Sequence, residues 1–378
     1  MLALVNGRVL QGHDFADGFA VLVDGARIAA VVPVADVPVA AERHDLAGAM
    51  LAPGLIDVQV NGGGDALFND DPSVATIRRI GAAHARYGTT GFLPTLISDD
   101  LHVVRAGIAA VDAAIHEGVP GVLGIHIEGP FINVERKGIH AAHKIRALND
   151  EGLRALTTPG RGKRLVTLAP ELVEPAAIAA LVAAGITVSA GHTAGSYAEI
   201  RAAFDAGLTG VTHLFNAMSP LQGREPGAVG AALSADGVWC SLIVDGYHVD
   251  PVTMRLALRC KPLEQFILVS DAMPPTGGRQ ERFTLNGRLI RREGGRLLDD
   301  DGTLAGADLD MLGAVRNACE MLGVTHAQAF AMAGAHPARF MGLDGDVGTI
   351  APGQRASLIA VGQDWSLQGC WIGGQPQG

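Results

Sequence analysis

The chain has 378 residues, 48% of them hydrophobic, and sets 29 Lys and Arg against 39 Asp and Glu for a formal net charge of −10. That length supplies core for one large domain and a smaller one, and the acidic balance argues against general binding to nucleic acid or anionic membranes, so an anionic substrate needs a local basic cluster. The longest uncharged apolar stretch, residues 175–191, is shorter than the roughly 20 residues of a spanning helix, and no membrane span is predicted.

Residues 1–52 alternate in short β-like pieces, 2–9, 20–23 and 27–32, punctuated by Gly7, Gly12, Gly18 and Gly25. From residue 55 the character changes to apolar or β-branched runs of the kind buried on both faces: 55–60, 90–96, 121–125, 165–169, 186–189, 208–211, 239–244 and 266–269. Helical periodicity fills most intervals, at 73–87, 100–117, 174–184, 196–206 and 251–259, with Gly88, Gly118, Gly185 and Gly207 as stop signals. Eight strands alternating with helices are the sequence form of a (β/α)8 barrel, whose active sites lie at the C-terminal strand ends. Residues 283–304 alternate around Asn286-Gly287 and Gly294-Gly295, hairpin signals that predict a flap inserted after strand eight. Residues 309–322 and 326–341 read as closing helices, and 356–361 and 365–372 return to the β style of the start. The predicted fold is α/β: a (β/α)8 TIM barrel over 53–343, with a small β-sandwich built from 1–52 and 344–378. A start without a basic and then apolar leader, and four scattered cysteines (Cys240, Cys260, Cys319, Cys370), predict a cytoplasmic protein with reduced thiols.

Four strands close on polar signatures: Ile125-His126-Ile127-Glu128-Gly129-Pro130, Ala190-Gly191-His192-Thr193, Thr212-His213-Leu214-Phe215-Asn216-Ala217-Met218 and Ser270-Asp271-Ala272. One such group alone is more often a satisfied core residue, but a carboxylate and two imidazoles at the ends of strands three, five and six point to a metal site. Glu128, His192 and His213 leave an open position for water, whose pKa a zinc-like ion lowers to about 7. Asp271, at the end of strand eight, is placed to take a proton from that water and pass it on. Arg224, His248 and the backbone N–H groups of Asn216 and Ala217 form a candidate anion cradle. His126 is expected to be structural, His84, His102 and His116 to lie solvated on helices, and His143 to sit on a loop surface. Asp57 is expected to bond backbone or supporting groups, and Gly62-Gly63-Gly64 to form a flexible turn rather than a phosphate loop.

These signatures, with Lys137-Gly138-Ile139-His140, Gly223-Arg224-Glu225-Pro226-Gly227 and Asp245-Gly246-Tyr247-His248-Val249-Asp250 in the same order, resemble the N-acetylglucosamine-6-phosphate deacetylases of the amidohydrolase superfamily. The resemblance implies metal-dependent hydrolysis of N-acetylglucosamine 6-phosphate to glucosamine 6-phosphate and acetate. It assigns the metal ligands to Glu128, His192 and His213, the catalytic acid-base to Asp271, and contact with the acetyl carbonyl to His140. It implies a homodimer in which Arg224, His248 or both reach the sugar phosphate across the interface. Binuclear amidohydrolases carry His-x-His on strand one, where this chain has Gln59-Val60-Asn61. Neutral amides are poor ligands beside imidazoles, so one divalent ion per subunit is predicted, zinc first, with iron, cobalt and manganese also suited to the donor set. The galactosamine epimer as substrate stays open, as does a catalytically silent sugar-phosphate sensor.

Overall fold

The computed structural model describes residues 1–377. Eight parallel strands form its centre: β1 (Leu55–Val60), β2 (Thr89–Leu96), β3 (Gly124–Glu128), β4 (Lys163–Leu168), β5 (Thr187–Ala190), β6 (Gly210–Val211), β7 (Trp239–Leu242) and β8 (Phe266–Leu268). Each hydrogen-bonds its sequence neighbour from β1 through β8. The ring closes where Val60 bridges Ala272 and the Asp271 N–H donates to the Gln59 carbonyl at 3.1 Å. Every residue of β1, β2 and β3 is buried, which is why these strands read as continuous apolar runs rather than alternating ones.

Helices Val74–Ala85, Leu101–His116, Pro175–Ala183, Tyr197–Asp205 and Pro251–Ala257 occupy the predicted intervals. Ser73 caps the first, and Ser196 closes a capping box with Glu199 on the fourth. Two further helices, Asp150–Leu156 and Gly227–Ser234, gave no sequence signal. The first is under two turns long; the second buries six of its eight small residues and shows no amphipathic contrast. The helix expected over 326–341 is two, His326–Ala333 and Ala335–Phe340, broken at Gly334. Pro337, having no N–H, could not donate to Ala333 in a continuous helix. The other closing helix, Met311–Asn317, runs into a π-helical turn at Ala318–Leu322.

Both termini build the small β domain. A four-stranded sheet uses Leu2–Val5, Phe19–Asp24, Arg27–Pro33 and Glu42–Asp45; a six-stranded sheet pairs Arg8–Gln11, Asp14–Ala16 and Met50–Pro53 with Leu358–Val361, Leu367–Ile372 and Gln375–Pro376. Leu4, Val21 and Ile28 from one sheet share a core with Leu51, Leu358 and Trp371 from the other, the packing of a β-sandwich. The expected flap is a four-stranded antiparallel sheet, Arg282–Leu285, Arg288–Glu293, Arg296–Leu298 and Leu304–Ala307, turning at both Asn286-Gly287 and Gly294-Gly295. Its apolar face (Phe283, Leu285, Ile290, Leu297) meets Leu67, Ile97, Ile139 and Met273 from the loops beyond β1, β2, β3 and β8. The insertion thus sits beside the C-terminal mouth of the barrel. No helix among the described residues is long and apolar enough to cross a membrane.

Two expectations on strand one and its helix are corrected. His84 is buried, its Nε2 2.9 Å from the Gly62 carbonyl. Gly62–Gly63 forms a ladder with Ala66–Leu67, and a side chain at Gly63 would come 2.7 Å from the His84 ring. The triglycine segment is a packed hairpin that lets the helix approach, and His84 seals it. His102, His116 and His143 are exposed.

Candidate functional site

A cleft of about 720 Å³ opens at the C-terminal end of the barrel, lined among others by Glu128, His140, His192, His213, His248 and Asp271. The backbone bends sharply to deliver them. His192, His213 and Asp271 adopt positive φ angles of 51°, 36° and 52°. Such conformations cost non-glycine residues of order 1–3 kcal/mol each and cluster at functional sites. Each lies two or three residues past its strand, where the chain turns its side chain into the cleft.

Glu128 Oε1 lies 3.2 Å from His192 Nε2 and 2.9 Å from His213 Nε2, and the two nitrogens are 3.1 Å apart. All three residues are buried. His192 Nδ1 is 2.9 Å from the Arg136 carbonyl, which can only accept, so Nδ1 carries the proton and Nε2 presents a lone pair. A lone pair and a carboxylate oxygen facing each other in a buried site need a proton or a metal ion between them. The donor set, two imidazole nitrogens and one carboxylate, therefore fits a divalent metal.

Glu128, His140 and His192 also place ligand atoms within 4.8 Å of one another, but hydrogen bonding separates His140 from the other two histidines. The Ser98 amide donates to His140 Nδ1 at 3.2 Å, and the Ser98 hydroxyl lies 2.8 Å from the same nitrogen. A nitrogen that accepts an amide N–H is bare, so the neutral ring carries its proton on Nε2 and offers a donor. Burial, reinforced by His192, holds its pKa well below the ordinary histidine value and keeps it neutral. His140 thus presents an N–H donor on Nε2, where a metal ligand would present a lone pair. Ser98 was not singled out by the sequence because a lone Ser past β2 carries no pattern.

Gly129 holds this contact open. Its φ is +86°, and a side chain there would lie 2.2 Å from Ser98 Oγ. Gly129→Ala is expected to cost about 1–3 kcal/mol through backbone strain and overpacking, measurable as a lowered denaturant midpoint. An unchanged midpoint would show that Ser98 moves freely.

Asp271 is half-buried at the wall of the cleft, and desolvation followed by the Glu128 charge pushes its pKa up to about 7. Beneath it, Asp57 receives the hydroxyl and amide of Ser270 and the amide of Gln59, the supporting role expected of it; burial raises its pKa to about 7. His126 is buried below Glu128, with Nε2 2.8 Å from Thr167 Oγ1 in a chain that continues 2.7 Å to Thr212. Burial lowers its pKa to about 4, consistent with a neutral, hydrogen-bonded residue.

The anion-binding candidates divide. His248 lines the cleft, and its Nδ1 is 2.6 Å from Asp245, with both side chains 7% exposed. Burial opposes the His248 charge, but the Asp245 carboxylate more than offsets it and raises the pKa. Asn216 and Ala217 also line the cleft, yet the Asn216 N–H already donates to the His213 carbonyl at 2.9 Å. The paired N–H cradle therefore reduces to Ala217, because the turn that gives His213 its positive φ engages the preceding amide. Arg224 is exposed on the loop before Gly227–Ser234 and does not line the cleft of its own chain.

A profile of the amidohydrolase family matches residues 50–376, and one of the NagA composite domain matches residues 1–51. The N-acetylgalactosamine-6-phosphate deacetylase of a Shewanella species is 40% identical over 88% of this chain and 84% of its own. The N-acetylglucosamine-6-phosphate deacetylase of Haemophilus influenzae is 34% identical over 99% and 98%. The crystal structure of the N-acetylglucosamine-6-phosphate deacetylase of Pasteurella multocida shares 34% identity and a TM-score of 0.96 over 99% of each chain. The barrel with its two-terminus sandwich, the convergent Glu and His donors and these full-length matches agree: the chain belongs to the amidohydrolase family, among the N-acetylglucosamine-6-phosphate deacetylases and their galactosamine counterparts.

Proposed function

We propose that the chain removes the N-acetyl group from N-acetylglucosamine 6-phosphate, giving glucosamine 6-phosphate and acetate. The observation that carries the reading is the meeting of Glu128 Oε1, His192 Nε2 and His213 Nε2 within 3.2 Å, on the floor of a cleft that also presents a proton-transfer acid and a neutral imidazole donor. One divalent ion, zinc by preference, would be held by these three residues and would supply Lewis acidity and a water acidified to about pKa 7. Asp271 takes the proton of the attacking water and delivers it to the leaving nitrogen. The His140 Nε2–H donates to the acetyl oxygen as negative charge grows there. A silent sugar-phosphate sensor would need neither the acid nor the oriented donor.

Phosphate is assigned to His248, the Ala217 N–H and Arg224. Because Arg224 is exposed and does not line its own cleft, we assign it to the cleft of a second subunit in a homodimer, with the exposed Leu221 on the same loop as part of the contact. His248 is cationic below its raised pKa and neutral above it. KM for the phosphorylated sugar is therefore expected to rise as pH increases through that value, and Asp245→Asn to move the rise to lower pH. A KM that stays flat across the histidine range would remove His248 from phosphate binding.

The galactosamine epimer is a second reading, favoured by the 40% identity to the Shewanella enzyme. Turnover of the two epimeric 6-phosphates by protein of measured metal content and measured mass in solution decides substrate, stoichiometry and assembly together. Failure to turn over either would overturn the deacetylase reading.

A further inference from the structure

Strand β1 ends in two carboxamides, Gln59 and Asn61, each 1% exposed. Gln59 Nε2 lies 3.1 and 3.2 Å from the two oxygens of Glu128 and 3.1 Å from Asp271 Oδ1. Asn61 Nδ2 lies 2.7 Å from the same Asp271 oxygen. A carboxylate between two amides orients them: their nitrogens face it, and their own oxygens turn away. Gln59 Oε1 and Asn61 Oδ1 are indeed buried without a partner among the described residues. Leaving two acceptors unbonded is costly, so this orientation persists only because the carboxylates demand donors.

We infer that Asn61, supported by Gln59, is a positioning residue for proton transfer: the two amides tie Asp271 Oδ1 and leave Oδ2 as the oxygen that exchanges the proton. The inference rests on the reading of Asp271 given above. Glu128 and Asp271 are like charges in a buried site, and the Gln59 –NH₂ group lies between them, where its positive edge relieves their repulsion without adding an ion. Strand β1 grips the backbone as well, because the Asp271 N–H donates to Gln59 and the Asn61 N–H to Ala272, at 3.1 and 3.0 Å. With the main chain and Oδ1 both fixed, the carboxylate cannot rotate, and Oδ2 keeps one direction through the two proton transfers. Among the described residues the Asn61 side chain hydrogen-bonds Asp271 and none of Glu128, His192 or His213, so its contribution is separable from metal binding.

The test is Asn61→Leu, with Asn61→Ser as a second, smaller variant, in metal-loaded enzyme. Loss of one charge-assisted hydrogen bond is expected to lower kcat roughly 10- to 150-fold, with KM and metal content at wild-type values. In the Asp271→Asn background the same substitutions are expected to cause no further loss, and a crystal structure of either variant should show the Asp271 carboxylate in more than one orientation. An Asn61 variant that folds and keeps full kcat, or one with a fixed Asp271 and an equal loss in both backgrounds, overturns the inference. A wild type that deacetylates neither epimer instead defeats the reading on which it rests.

Discussion

Replacing Asp271 by Asn is expected to lower kcat by roughly 10²- to 10⁴-fold, the range general acid–base catalysis supplies, while metal content stays at the wild-type level. Asn fills the same space and its oxygen can still accept from Gln59 and Asn61, but it can neither take nor return a proton. Stability provides an independent readout with a definite sign. Burial and the Glu128 charge raise the Asp271 pKa to about 7, so the folded state binds this proton more tightly than the unfolded chain does. A carboxylate with a raised pKa costs nothing below its unfolded value, destabilises increasingly as pH rises, and destabilises fully above its folded value. Metal-free Asp271→Asn should therefore melt above metal-free wild type near and above neutral pH, and the gap should close in acid. A variant both inactive and less stable at neutral pH would make Asp271 a structural residue, and full activity would overturn the mechanism.

The fold and the centre of the site were legible for one reason: barrel strands buried on both faces write uninterrupted apolar runs, and a polar residue just past such a run stands out. Glu128, His192, His213 and Asp271 stand out that way as candidates, and the structure brings all four into one cleft. Residues that act from a distance left no such mark. Ser98 fixes the His140 tautomer from another strand end, and Thr167 supports His126 from a neighbouring one. Only the pairing of adjacent strands makes these groups neighbours. His84 was misjudged because a polar residue on a helix reads as solvated unless the packed glycine hairpin opposite it is known. The Asn216 amide was misjudged because sequence does not show which N–H groups a turn consumes. Short helices of small residues, such as Gly227–Ser234, lack amphipathic contrast because both faces are covered.

Removing the divalent metal is expected to abolish turnover and lower the melting temperature, and adding it back to restore both. The stability arm follows from where the ion binds. With His192 Nδ1 committed to the Arg136 carbonyl, its Nε2 is turned to Glu128 Oε1 at 3.2 Å, an arrangement that only the folded chain assembles. Binding to the folded state alone stabilises by about 4 kcal/mol when the ion stands at about a thousand times its dissociation constant. Single substitutions then distinguish the two possible ligand sets. His213→Ala should lose bound metal and the metal-dependent rise in melting temperature, because its Nε2 is one of three atoms within 3.2 Å of one another. His140→Ala should keep one ion per chain and lose activity, because its Nδ1 is bonded to Ser98 and its Nε2 carries a proton where a ligand needs a lone pair. If His140→Ala emptied the site and His213→Ala did not, the ion would belong to Glu128, His140 and His192. The donor assigned to the acetyl oxygen would then have to be sought elsewhere in the cleft.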